Sequence, residues 1–139
     1  ADMKDIVNSV VKQREGFRPF APSCLEDRAG EYFEGCGKSR YMISTYMVAP
    51  GKAEVIPAVT HVDGTARVQT VTPETNESYW TIIHRFSELT GVPVVLNTSF
   101  NVKGEPIVES PVDALRCFWG TGLDALSIPP FLIVKPDRF

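Results

Sequence analysis

Three cations fall within Lys12-Gln13-Arg14-Glu15-Gly16-Phe17-Arg18. An arginine fork matches phosphate and carboxylate oxygens in a bidentate way, and a lysine supplies a compact point charge. The segment therefore has the residue types of an anion site. For Lys12 and Arg14 a second reading stands beside the first, because cations near a helix C-terminus also answer the macrodipole. Arg18 differs, being pinned between Phe17 and Pro19-Phe20, a stiff apolar stretch that would hold its guanidinium in place.

Two further clusters carry chemistry. In His61-Val62-Asp63-Gly64-Thr65-Ala66-Arg67 a tight turn at Asp63-Gly64 feeds Arg67 into a strand, where it is either an edge charge or a fixed anion clamp. His61 is read as structural, since one histidine without visible partners specifies little. In Val94-Val95-Leu96-Asn97-Thr98-Ser99-Phe100-Asn101 an apolar strand ends in small polar groups. Ligands of open α/β sheets bind at such strand ends. The amides and hydroxyl of Asn97, Ser99 and Asn101 suit ribose hydroxyls or phosphate oxygens. The same residues also describe an ordinary Asn/Ser-rich turn. There is no Walker loop, no G-x-G-x-x-G and no nucleophile elbow. Cys24, Cys36 and Cys117 form no C-x-x-C pair and are read as buried thiols in a reducing compartment. With only two histidines beside them, no metal site is expected.

Helices and strands must position these groups. Met3, Ile6, Val7, Val10 and Val11 recur at helical spacing and predict a helix over about 3–13 that Gly16 and Pro19 end. The prolines leave Phe17–Ser23 extended or looped, with a short second helix over Leu25–Phe33. Tyr41–Val48, Val55–Val62 and Ala66–Val71 read as strands. A helix over about 74–90 would carry its apolar side on Tyr79, Ile82, Ile83, Phe86 and Leu89 and stop at Gly91. Val92–Thr98 is a continuous apolar run of the kind found in a central strand. Ser110 caps a helix over about 111–119, with Pro111 at its first position, and Phe131–Val134 is a last strand. Interleaved elements of this kind predict an α/β class with a mixed sheet.

Composition bounds the rest. A chain of 139 residues suits one globular domain, and 43% hydrophobic residues suffice for a core. The longest apolar runs are too short to span a bilayer, so no membrane partner is expected. A net charge of −3 argues against non-specific nucleic-acid binding while leaving room for a small basic pocket. The charged opening is read as no signal peptide, hence a cytoplasmic location, and the missing initiator methionine as the mark of a piece excised from a longer protein.

Three segments, REGFRPFAPS at Arg14–Ser23, HVDGTARVQTV at His61–Val71 and PVVLNTSFNVKGEP at Pro93–Pro106, together resemble the C-terminal region of NodU/TobZ-type O-carbamoyltransferases, which modify nodulation factors and antibiotics. Lys12-x-Arg14 and Ser99-x-Asn101 also resemble the K-x-R and S-x-N signatures of YrdC-type proteins. The resemblance covers nearly the whole chain. It implies a YrdC-like open twisted mixed sheet with flanking helices over residues 1–139. Such a domain binds carbamoyl phosphate and ATP, with Mg²⁺ carried on the triphosphate, and forms carbamoyl-adenylate. The partner it implies is an N-terminal ASKHA-like transfer domain of the same polypeptide, absent from this chain and holding any iron or similar metal. Carried over by motif, Lys12, Arg18 and Arg67 are the catalytic cations, and Arg14, Asn97, Ser99 and Asn101 bind substrate or nucleotide. Gly16 departs from the proline more usual in the family and loosens the loop before Arg18. The alternatives are a threonylcarbamoyl-adenylate synthase-like enzyme, against which HVDGTAR and NTSFNVKGEP argue, and a non-catalytic interface domain.

Overall fold

Strand β1 (Ala21–Leu25) is buried at all five positions and runs between two partners. Strand β4 (Gln69–Val71) pairs with it in parallel from Ser23↔Gln69, and β5 (Val94–Asn97) pairs antiparallel through Ala21↔Asn97. The computed structural model describes residues 2–13 and 15–136. They gather into two units, one of residues 19–98 and one of residues 2–13 and 15–18 with 99–136. The α/β class and mixed sheet agree with the sequence reading. The order β4-β1-β5 corrects one part of it, since β5 lies at an edge and β1 is central. Pro22 is tolerated there because the ladder to β4 begins only at Ser23, so its missing N–H breaks no bond on that side.

In the first unit, β2 (Tyr46–Met47) and β3 (Thr65–Ala66) form a separate two-stranded ribbon. The longer strands expected over Tyr41–Val48 and Ala66–Val71 are thus reduced to short pieces, and Arg67 falls in the gap between β3 and β4 rather than on a strand. Val55–Val62 is not a strand; Pro57 opens a 3-10 turn, Pro57–Val59. The helix expected over Leu25–Phe33 is the end of β1 followed by a 3-10 segment, Glu26–Glu31. Helix α2 (Pro73–Thr90) is capped by Thr72 and closed by Gly91, whose φ of 77° needs glycine. It packs Tyr79, Trp80 and Ile83 against Leu25, Val71 and Val95. Ile82, Phe86 and Leu89 are exposed, so the buried side is narrower and rotated from the expected one.

The second unit begins with α1 (Asp2–Ile6), which continues into a π-helical turn, Val7–Val11. Its buried side is Asn8, Val11 and Lys12, while Met3, Ile6 and Val10 stay exposed, which corrects the expected apolar face. Helix α3 (Pro111–Trp119) has the expected start: Asp113 N–H donates to Ser110 Oγ, and Ser110 N–H donates back to Asp113 Oδ2 at 3.1 Å. Ala114 and Phe118 pack with Leu126, Phe100 and Ile133. The hairpin of β6 (Ala125–Ile128) and β7 (Phe131–Val134) completes this core. Strand β6 was not expected from the sequence. Gly122 lies against the first helix, donating its N–H to Val10 O at 3.1 Å. A Cβ there would meet Val10 Cγ1 at 1.8 Å.

Candidate anion site

The π turn decides where Lys12 points. Its backbone N–H donates to Val7 O at 2.8 Å, five residues back instead of four. One residue is thereby inserted into the turn, and the next side chain rotates to a new direction. Lys12 is 5% exposed, an unusual burial for an ammonium. Its Nζ donates to Ser99 O at 2.5 Å, Ser99 Oγ at 3.1 Å, Asn101 Oδ1 at 2.6 Å and Asn101 O at 3.0 Å. These four acceptors are all neutral oxygens, and they meet the donors of the buried ammonium.

The acceptors are themselves held. Ser99 Oγ donates to Asn101 Oδ1 at 2.7 Å, and Asn101 Nδ2 donates to Glu105 O at 2.8 Å. Glu105 N–H donates to Val102 O across a turn whose third residue, Gly104, has φ +83°. This is a type II turn, which requires glycine at that place and presents the preceding Lys103 outward. On the other side Asn8, fully buried, donates its amide to Arg18 O at 3.1 Å and Gly16 O at 3.4 Å. That bond fixes the backbone from which the Arg18 side chain projects. A cleft of about 240 Å³ results, lined by Lys12, Arg18, Ser99, Asn101, Lys103 and the Gly104 turn. Glu15 stands at its rim, 3.5 Å from Lys103 Nζ and 4.0 Å from Arg18 Nη1. Its own backbone hydrogen bond and the Lys103 charge hold its carboxyl below the usual range.

Lys12, Arg18, Ser99 and Asn101 therefore come together in one unit. Arg14 lies outside the described residues. Arg67 and Asn97 belong to the other unit. Arg67 is exposed, yet Ala66 and Val68 on either side are fully buried, so its backbone is pinned without strand pairing. Asn97 is part of a polar bridge over the three strands of the sheet: its Nδ2 donates to Gln69 Oε1 at 2.7 Å and Ser23 Oγ at 2.9 Å, and Ser23 Oγ donates to Gln69 Oε1 at 2.8 Å. Both amide donors are committed, and the carbonyl Oδ1 is what Asn97 has left to offer.

His61 stays within its turn. Asp63 Oδ1 accepts from Thr65 N and, at 2.7 Å, from Thr65 Oγ1. That hydroxyl has one proton, so the His61 Nδ1 at 3.2 Å must donate to it. This satisfied pair agrees with a structural role. Cys24, Cys36 and Cys117 are free and buried. Among the described residues no cluster of His, Cys, Asp or Glu could hold a metal ion, and no helix is long and apolar enough to cross a membrane.

Sequence reasoning passed over Asn8, Glu15 and Lys103. Asn8 was hidden by the apolar helix pattern around it. Lys103 was readable, since Val-Lys-Gly-Glu has glycine where a type II turn puts it.

A family model described as the carbamoyltransferase C-terminus matches residues 1–135 of this chain. The nodulation protein NolO of Bradyrhizobium diazoefficiens is 49% identical over 138 residues, covering 97% of this chain and 25% of that protein. The nodulation protein NolNO of Sinorhizobium fredii is also 49% identical, covering 97% of this chain and 20% of that protein. Nodulation protein U of Azorhizobium caulinodans is 42% identical over 118 residues, covering 85% and 20%. The chain thus spans about a quarter or less of the length of these relatives.

Proposed function

We propose that this chain, which belongs to the carbamoyltransferase C-terminus family, is the part of a carbamoyltransferase that binds carbamoyl phosphate and ATP and forms carbamoyl-adenylate. The observation that carries this is Lys12: a buried ammonium held by four neutral oxygens at a cleft that also has Arg18 and Lys103. Three cations gathered at one cleft favour an anion there, and a cleft of about 240 Å³ has room for a phosphate group.

The chemistry needs that charge. Water first cleaves carbamoyl phosphate into carbamate and inorganic phosphate; a carbamate oxygen then attacks the α-phosphorus of magnesium-bound ATP, the bond to the β-phosphate breaks, and pyrophosphate leaves. Phosphoryl and nucleotidyl transfers depend on positioning and charge neutralisation more than on covalent help from the protein. Lys12 and Arg18 supply charge, and Ser99 supplies a hydroxyl. Arg14, Arg67 and Asn97 are assigned to the same reaction by their motifs alone. Asn97 has a particular part open to it: an acceptor oxygen is the wrong partner for phosphate but the right one for the carbamoyl NH₂ or a ribose hydroxyl. Transfer to an acceptor hydroxyl, on a nodulation factor or an antibiotic-like compound, falls to an ASKHA-like domain of the same polypeptide, and this chain alone carries no acceptor specificity. Its site of action on this reading is the cytoplasm, where ATP and carbamoyl phosphate are found.

Calorimetric titration with carbamoyl phosphate and with Mg·ATP, followed by an assay of carbamoyl phosphate-dependent pyrophosphate release, tests the reading. Binding of both ligands with weakening in Lys12→Met is expected. Absence of binding to either ligand in the full chain would reduce the domain to a non-catalytic interface.

A further inference from the structure

Glu15 stands where a ligand's negative charge would be wanted. Its carboxylate spans two cations of the cleft, Lys103 at 3.5 Å and Arg18 at 4.0 Å. The backbone keeps it there: Arg18 N–H donates to Glu15 O at 3.2 Å, closing a turn that sets the two side chains three residues apart on one side. Lys103 reaches the same place from the tip of the glycine turn. Glu15, Arg18 and Lys103 each keep about half or more of their side-chain surface in water, at 47%, 52% and 63%. Ion pairs so exposed are weak and exchange readily. A phosphate dianion brings twice the charge of the carboxylate and more acceptor oxygens.

We infer that Glu15 is the resident counter-ion of this cleft, that the phosphate of the incoming ligand displaces it, and that Lys103 thereby becomes a third cation on that phosphate beside Lys12 and Arg18. The inference rests on the reading of the cleft as a phosphate site. Its consequence is a deliberate moderation of affinity. The carboxylate competes with phosphate for two of the cations, so the cleft does not hold inorganic phosphate or pyrophosphate after turnover. Because Glu15 is held below the usual carboxylate range, this competition persists throughout the neutral range.

The test is calorimetric titration of the full chain with carbamoyl phosphate, and with inorganic phosphate as the bare-anion probe. It compares wild type, Glu15→Gln, Lys103→Gln and the double variant, with thermal unfolding measured for each. Glu15→Gln should tighten both ligands about threefold to tenfold, from removal of one negative charge at close range. Lys103→Gln should weaken them by a similar factor, and Lys103→Arg should restore binding. Glu15→Gln should gain less in the Lys103→Gln background than alone, since part of its effect is the release of Lys103. Glu15→Ala repeats the charge removal with a different side chain. If both Glu15 variants bind phosphate no tighter than wild type while Lys12→Met still loses it, the counter-ion role is wrong and the phosphate site stands. If neither wild type nor Glu15→Gln binds phosphate at all, both fall together.

Discussion

Asn101 accepts the Lys12 ammonium twice, through Oδ1 at 2.6 Å and through its backbone carbonyl at 3.0 Å. One bond orients the side chain and the other pins the loop, so the position of the charge and the shape of the loop are a single arrangement. Burying an ammonium is costly even when its donors are met. Lys12 thus has two parts to play, one through its charge and one through the loop it holds.

Lys12→Met separates these two effects. The apolar stem is preserved and the ammonium is removed, but the Ser99 and Asn101 oxygens lose their donor, so stability should fall by about 1–3 kcal/mol. Carbamoyl phosphate affinity should fall at least about tenfold, the equivalent of roughly 1.4 kcal/mol. Calorimetry and thermal unfolding on the same preparation check this. A variant that melts lower and binds normally would make Lys12 a structural residue.

Asn8→Ala addresses the loop from the other side. Its amide holds Gly16 O and Arg18 O, and it is fully buried. Removal leaves those carbonyls without their donor, at a cost of about 1–3 kcal/mol in stability. The Arg18 backbone is then free to drift, and anion affinity should fall severalfold although Asn8 lies outside the cleft lining. Urea unfolding and phosphate titration report the two effects. Lost stability with undiminished affinity would show that Arg18 needs no such support.

Arg67→Lys tests the assignment made from motif alone. Arg67 projects from a backbone fixed by the buried Ala66 and Val68, and a guanidinium offers two parallel donors that an ammonium does not. Loss of one such contact in the transition state is worth roughly 2–4 kcal/mol, or about 10²–10³ in rate. Pyrophosphate release in the full-length enzyme should fall accordingly, with the melting temperature unchanged because the side chain is exposed. Release at the wild-type rate would return Arg67 to a surface charge.

These residues also show what the sequence made legible. The cation spacing and the polar run after Leu96 pointed to Lys12, Arg18, Ser99 and Asn101 because charge and hydrogen-bonding capacity are written in the residue types themselves. Helix ends at Ser110, Thr90 and Trp119 were readable from local capping, which depends on neighbours in sequence. Strand β1 was missed because Pro19 and Pro22 argue for a loop, and only the register with β4 makes Pro22 harmless. The buried side of the first helix was misplaced because the π turn and the Lys12 cage are long-range effects: Ser99 and Asn101 lie 87 and 89 residues away from Lys12. A hydrophobic pattern carries no trace of a buried lysine whose partners are that distant.

Cys24 makes the chain's response to alkali predictable. Its thiol is fully buried beside the Leu25 carbonyl in the central strand. Burial pushes it up from 9.0 to about 12, and the neighbouring Cys36 thiol adds to the effect. Between those values the folded state keeps a proton that the unfolded state has released. Stability therefore falls as pH rises there, by about 1.4 kcal/mol per pH unit for one such group. Below 9.0 the contribution is whole, and it is gone by about 12. Cys36, Tyr32 and Tyr79 are raised by burial as well and add in the same direction. Urea unfolding midpoints at pH 7, 9, 10 and 11 should trace this decline. Cys24→Ala should lose about 1 kcal/mol at neutral pH from the removed volume, and its alkaline slope should be shallower than wild type by one proton. Native protein should also resist thiol reagents at pH 8, with the thiols reacting once urea opens the unit, because a thiol that is both inaccessible and protonated offers no nucleophile. An alkaline slope identical in wild type and variant, or rapid labelling of Cys24 in the native chain, would show that this strand opens far more easily than its burial implies.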